Sequence, residues 1–149
     1  MYDFTQQQKE QELNILLVDD SEDEHLMLSQ ALKSKNASMS LSHISDSTQV
    51  INHLEKVSAN ELPDIILLDI RMPKIDGHTL LKRIKETRKF STLVVIMFST
   101  SAYPDDVQRA YENHANTYFQ KPYDFKSYGD LVDKITQYWQ SATIAKQGN

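Results

Sequence analysis

Three short runs of aliphatic residues, Leu13–Val18 (LNILLV), Ile65–Leu68 (IILL) and Leu93–Phe98 (LVVIMF), most constrain how this chain can fold. Their apolar residues do not alternate with polar ones, so each run must be covered on both faces, as strands of a parallel sheet are. Weaker strand signals lie at Leu41–Ser45 and Asn116–Phe119. The gaps carry helical spacing: Leu28, Ala31 and Leu32 in 22–35; Leu80, Leu81 and Ile84 in 78–89; Val107, Ala110 and Tyr111 in 105–113; Leu131, Val132 and Ile135 in 125–141. Segment 47–58, with Val50, Ile51, Leu54 and Val57, is less regular. Ser21 and Glu24 form a capping-box pattern before the first helix, and Pro104 suits the first turn of the fourth. Alternating strands and helices predict an α/β, doubly wound, five-stranded parallel sheet with five helices on its two faces. The working site of such a sheet lies beyond the carboxyl ends of its strands.

Composition narrows the chemistry. The chain has 149 residues, enough for one core without staples, and no cysteine for a disulfide, zinc knuckle or thiol nucleophile. Its net charge of −5 argues against nucleic acid as a direct partner. Only Gly77, Gly129 and Gly148 are glycines, too dispersed for a Walker loop or a dinucleotide fingerprint. Residues 1–12 are polar and Gln-rich, which predicts a disordered lead-in and not a signal peptide; 142–149 reads as a loose C-terminal tail. With no long apolar segment, no membrane partner is expected, and a cytoplasmic location is.

The strand ends carry the informative residues. The first strand runs into Asp19, Asp20 and Ser21, and the third into Asp69 and Arg71. The fourth runs into Ser99, Thr100 and Ser101, and the fifth into Gln120, Lys121 and Pro122. Singly, each is an ordinary cap or turn residue. Together at one sheet edge they describe a site. Clustered carboxylates repel unless a cation joins them, and all-oxygen donors suit Mg²⁺. A carboxylate, a metal, a hydroxyl and a lysine make a receptor for a phosphoryl group, whose transfer needs mainly positioning and charge neutralisation. With Asp as nucleophile the product is an aspartyl phosphate.

Four segments, LLVDDS at 16–21, DIILLDIRMPKIDG at 64–77, MFSTS at 97–101 and YFQKPY at 118–123, resemble the motifs of the response regulator receiver domain of two-component signalling. The resemblance covers residues 13–141 and implies a flavodoxin-like sheet of strand order 2-1-3-4-5. It implies Asp69 as phosphoacceptor, with Asp19, Asp20, Asp69 and the backbone carbonyl of Arg71 holding Mg²⁺. Ser99, Thr100 and Lys121 would bind the phosphoryl group, and Ser99 and Tyr118 would form the switch. Pro122, with a cis bond in similar proteins, would turn the chain so that Lys121 can reach. Gly77 would supply a backbone conformation that other residues avoid. The implied protein is not an enzyme beyond its own phosphorylation and dephosphorylation. Its implied partners are a sensor histidine kinase and a separate downstream protein. Signalling would run through the face of the fourth helix, fifth strand and fifth helix, where Tyr128, Tyr138 and Trp139 also suggest a homodimer surface. The loop STSAYPDD at 99–106 and the aromatic-rich last helix further resemble stand-alone receivers paired with phytochrome kinases.

Two positions depart from the family pattern. His114 stands where a glycine is usual, which predicts a left-handed cap, and Arg71 lies where the family varies. No histidine pair has a metalloprotease-like spacing, so His25, His43, His53, His78 and His114 are all expected to be structural or surface groups. Alternatives to a terminal switch are a phosphorelay intermediate, a small aspartate-nucleophile phosphatase and a flavin binder of the same topology. The phosphatase would usually place an acid where Arg71 stands, and the flavin binder would not place Asp19 and Asp20 beside a phosphate.

Overall fold

The computed structural model describes residues 12–145; the remainder of both expected tails, 1–11 and 146–149, lies outside the described residues. Strands and helices alternate: β1 Leu13–Val18, α1 Glu22–Ser34, β2 Met39–Ile44, α2 Val50–Lys56, β3 Ile65–Leu68, α3 Gly77–Glu86, β4 Val94–Ser99, α4 Pro104–Glu112, β5 Thr117–Gln120 and α5 Phe125–Ser141. All strand pairings are parallel, and the sheet order is β2-β1-β3-β4-β5. The expected doubly wound α/β sheet with five helices and order 2-1-3-4-5 is the observed one.

The central strands are buried on both sides because successive side chains face opposite layers. Leu16, Val18, Ile66, Leu68, Val95 and Met97 pack with α2, α3 and α4 residues such as Leu54, Leu81 and Ala110. Ile15, Leu17, Ile65, Leu67, Ile96 and Phe98 pack with Leu28, Ala31 and Leu32 of α1 and Leu131, Val132 and Ile135 of α5. Each fully buried aliphatic side chain contributes about 1.5–3 kcal/mol. Ile144, beyond α5, is partly buried against this second layer.

Local chemistry explains where the elements stop. Both α1 and α4 end in a left-handed residue, Asn36 at φ 48° and His114 at φ 71°. In each, the two amides that follow the cap fold back on the last turn: Asn36 to Lys33 and Ala37 to Leu32, His114 to Tyr111 and Ala115 to Ala110, at 3.0–3.1 Å. The His114 expectation is therefore met. Segment 47–58 is less regular than a single helix because Asp46 caps a 3₁₀ turn, Ser47–Gln49, ahead of α2. Helix α3 stops at Glu86 and not at 89, where Thr87 Oγ1 donates to the Arg83 carbonyl at 2.7 Å and the chain turns to bury Phe90.

Candidate functional site: an acidic pocket at the carboxyl edge of the sheet

Parallel pairing brings the predicted residues to one edge. The Asp69 amide donates to the Val18 carbonyl at 3.0 Å, and the Lys121 amide to the Ser99 carbonyl at 2.8 Å. One carboxylate oxygen from each of Asp19, Asp20 and Asp69 lies within 4.8 Å of the others. Asp19, Asp69, Ser99 and Lys121 are buried, whereas Asp20 and Thr100 open to solvent.

Lys121 is the cation of the pocket. Its Nζ lies 2.7 Å from Asp19 Oδ2, 3.6 Å from Asp69 Oδ1 and 3.9 Å from Glu24. The contact with Asp19 Oδ2 is a close ion pair between two buried groups. Burial works against the lysine's charge, but hydrogen bonding to Asp19 and attraction by Asp69, Asp19 and Glu24 outweigh it and raise its pKa. Asp69 is perturbed the other way for an acid: burial and the Asp19 charge push its carboxyl up to about 6, against the pull of Lys121. Its Oδ1 accepts from the Ile70 amide at 2.9 Å, which orients the group.

These residues fit a divalent cation. Three carboxylates, Asp19, Asp69 and Glu24, converge on one ammonium, and Asp69 is pushed up by burial first and by the neighbouring Asp19 and Asp20 charges after it. Hard oxygen donors with an open side toward solvent suit an ion that keeps part of its water. Asp19, Asp20 and Asp69 would hold it.

The loop after β3 is set by close approach. Lys74 takes φ 69°, and the Gly77 amide donates to the Ile70 carbonyl at 2.7 Å. Gly77 itself is not left-handed, contrary to expectation; a Cβ there would lie 2.0 Å from the Asp69 carbonyl oxygen. Its lack of a side chain is needed for space. The Lys121–Pro122 bond is not cis, again contrary to expectation. Trans is the ordinary state of such bonds, and Lys121 reaches Asp19 with it.

Ser99 Oγ accepts from the Ser101 amide at 3.2 Å, and Tyr118, half-buried, donates its hydroxyl to the Ser101 carbonyl at 2.7 Å. Burial raises the Tyr118 pKa. Sequence reasoning missed two acids here. The Glu24 amide donates to Ser21 Oγ at 3.3 Å, as the cap requires, but its carboxylate does not return to complete the capping box. Asp19 takes the Ser21 amide at 2.9 Å, and Glu24 turns to Lys121 and to the Tyr128 hydroxyl at 2.6 Å. Asp106 joins buried His78 at 3.0 Å, the Ser101 hydroxyl at 2.7 Å and Arg71 at 3.7 Å, with the hydrogen bonds from Ser101 and His78 lowering its pKa. The paired acids in PDD at 104–106 were the available signal. Of the three aromatics expected at the output face, Tyr128 is buried and Trp139 partly so, and only Tyr138 is exposed.

The comparisons agree with this geometry. The model of the response regulator receiver domain matches residues 15–135. The chain is 32% identical over 127 residues to the probable methanogenesis regulatory protein FilR2 of Methanothrix harundinacea, covering 84% of this chain and 82% of that protein. It is 31% identical over 128 residues to response regulator Rcp1 of Synechocystis, covering 84% of this chain and 87% of that one. The crystal structure of Mn²⁺-bound Rcp1 superposes with a TM-score of 0.77 at 30% identity, over 89% of this chain and 99% of Rcp1. That of the phosphorylated cyanobacterial phytochrome response regulator RcpA gives 0.79 at 29%, over 89% and 97%. With its sheet order, its acidic pocket and these relatives in agreement, the chain belongs to the response regulator receiver domain family of two-component signalling.

Proposed function

We propose that this chain works as a stand-alone cytoplasmic receiver that takes a phosphoryl group from a histidine kinase phosphohistidine onto Asp69, with Mg²⁺. The observation that carries this reading is the placement of Asp69 beside Asp19, Asp20 and Lys121 at the open edge of the sheet. An Asp69 carboxylate oxygen forms the new P–O bond as the donor P–N bond breaks, and the released imidazole takes a proton from water. Mg²⁺, when bound with help from the Arg71 carbonyl, supplies charge neutralisation for the carboxylates and the transferring group. Lys121 pairs with the phosphoryl oxygens, Ser99 donates its hydroxyl to them, and exposed Thr100 adds a donor at the rim. A phosphatase would want an acid at position 71; the Arg71 guanidinium instead lies 3.7 Å from Asp106.

The signal would pass through Tyr118. Drawing Ser99 toward a phosphoryl group pulls on the segment Ser99–Ser101, whose last carbonyl holds the Tyr118 hydroxyl. The α4–β5–α5 face, with Tyr103, Tyr111, Tyr123 and Phe125 exposed, would then present itself to a downstream protein or a second copy. Incubation with Mg²⁺ and acetyl phosphate should add one phosphoryl mass to the wild type and none to Asp69→Asn. Labelling that persists in Asp69→Asn would overturn the assignment.

A further inference from the structure

Two histidines expected to be structural or surface groups meet beside the pocket. We propose that Glu22, His25 and His43 form a second metal site, separate from the acidic pocket, that takes a divalent transition-metal ion of the Zn²⁺ class. Glu22 and His25 stand one turn apart on the first turn of α1, and His43 lies near the end of β2. One donor atom from each falls within 4.8 Å of the other two.

The ring of His43 is already set for ligation. Its Nε2 lies 2.7 Å from the Asp19 carbonyl, which can only accept, so Nε2 carries the proton. In the neutral ring Nδ1 then holds the free lone pair. That nitrogen is the one facing Glu22, at 4.0 Å from the carboxylate, too far for a hydrogen bond. A histidine that donates one ring N–H to a backbone carbonyl and presents the other nitrogen is the usual arrangement behind a metal ligand. The His25 and His43 rings stack with centroids 4.5 Å apart and planes inclined by 23°, so they are neighbours, and the His25 ring must turn out of the stack for both in-plane lone pairs to meet one ion.

Ligand atoms around one Zn²⁺ lie at about 2.0–2.2 Å from it, so the three donors must close in from separations of up to 4.8 Å, through side-chain rotation of Glu22 and His25. Glu22 is largely exposed and free to swing. Two imidazoles and one carboxylate favour Zn²⁺, Cu²⁺ or Ni²⁺ over Mg²⁺, which prefers oxygen. Three protein ligands leave a fourth position to water. The acidic first turn, Glu22, Asp23 and Glu24, offsets the positive end of the α1 dipole that would otherwise oppose a cation. Because the carbonyl of Asp19 orients His43 while its carboxylate lines the pocket, the two sites share one residue's backbone.

The full chain, with Mg²⁺ in large excess to occupy the acidic pocket, should be titrated with ZnCl₂ by calorimetry, and ¹⁵N spectra of the histidine rings recorded. One Zn²⁺ should bind per chain, with His43 Nδ1 and one His25 ring nitrogen shifting in the wild type. His25→Ala and Glu22→Gln should each weaken binding by about tenfold or more, while His53→Ala, on the exposed side of α2, should bind as the wild type does. Absence of saturable Zn²⁺ binding would overturn the proposal, as would undiminished affinity in His25→Ala or ring shifts confined to other histidines. The ring shifts are read on the unaltered protein, so a poorly folding variant leaves the test intact.

Discussion

Asp69 combines two demands that oppose each other. In the proposed role it must be buried enough to be oriented and charged enough to accept a phosphoryl group. In the folded chain it keeps its proton up to about pH 6, whereas its ordinary value is 3.8. Between those values the folded state holds more protons than the unfolded one, so the stability this group contributes falls as pH rises from about 4 to about 6 and stays low above that. The facing charges are Asp19 and Asp20 after β1 and Lys121 after β5, with Lys121 opposing the shift. The full shift would correspond to about 3 kcal/mol, and solvent screening reduces this to about 1–2 kcal/mol. Asp69→Asn should therefore unfold a few degrees above the wild type at about pH 7.5 without divalent cations, and the difference should shrink near pH 4. Calorimetry at the two pH values checks this. By the same titration, labelling by acetyl phosphate should slow as pH falls below about 6, because a proton then competes with Mg²⁺ and with the phosphoryl donor for Asp69. Gly77 acts at the same scale. A methyl group there meets the Asp69 carbonyl oxygen and the Ile70 Cα, both backbone, and neither can move without moving Asp69. Gly77→Ala should lower stability in urea by about 1–3 kcal/mol and slow phosphorylation as well.

At the scale of elements, the helices owe their ends to side chains and their positions to the sheet. Asp76 caps α3 by accepting the Thr79 amide at 2.8 Å, and Asp124 caps α5 by accepting that of Ser127 at 2.8 Å. Gly129, inside α5, contrasts with Gly77. A Cβ there would meet only the end of the Lys35 side chain, which is flexible and pairs with Asp133 at 2.9 Å. Gly129→Ala should favour the helix by about 0.5–1 kcal/mol. Displacing an exposed ion pair offsets part of this, so the expected result is a small gain in the urea midpoint. The strand assignments at Leu13–Val18 and Ile65–Leu68 were legible to the residue because apolar runs without alternation have few alternatives. The start of β2 at Met39 and the end of β5 at Gln120 were not. Edge strands are only half covered, so their hydrophobic pattern is weak and pairing with β1 or β4 decides their extent.

Across the whole molecule, the acidic pocket and the proposed output face lie at different parts of one sheet, joined by β4, β5 and their loops. Tyr123 is 93% exposed and Tyr103 68%, large aromatic areas for a surface with no partner assigned. Self-association should strengthen when beryllofluoride occupies Asp69, seen as a rise in sedimentation-averaged mass with concentration that Asp69→Asn does not show. An unchanged mass across the accessible range would leave a separate protein as the occupant of that face.

The order of apolar runs was sufficient to determine a doubly wound parallel sheet, because strands buried on both faces admit few architectures. The strand-end positions of Asp19, Asp20, Asp69, Ser99 and Lys121 followed from it, since parallel strands all end on the same side. Tertiary structure alone decided which way individual side chains turn. Glu24 leaves its capping box for a buried ammonium, Asp106 gathers His78, Ser101 and Arg71, and Gly77 is needed for space beside the Asp69 carbonyl. His25 and His43, separated in the chain, come into contact only when β2 lies against β1 beside the start of α1. Local spacing carries the elements, whereas charge pairing and close approach are settled between elements that the chain brings together only on folding.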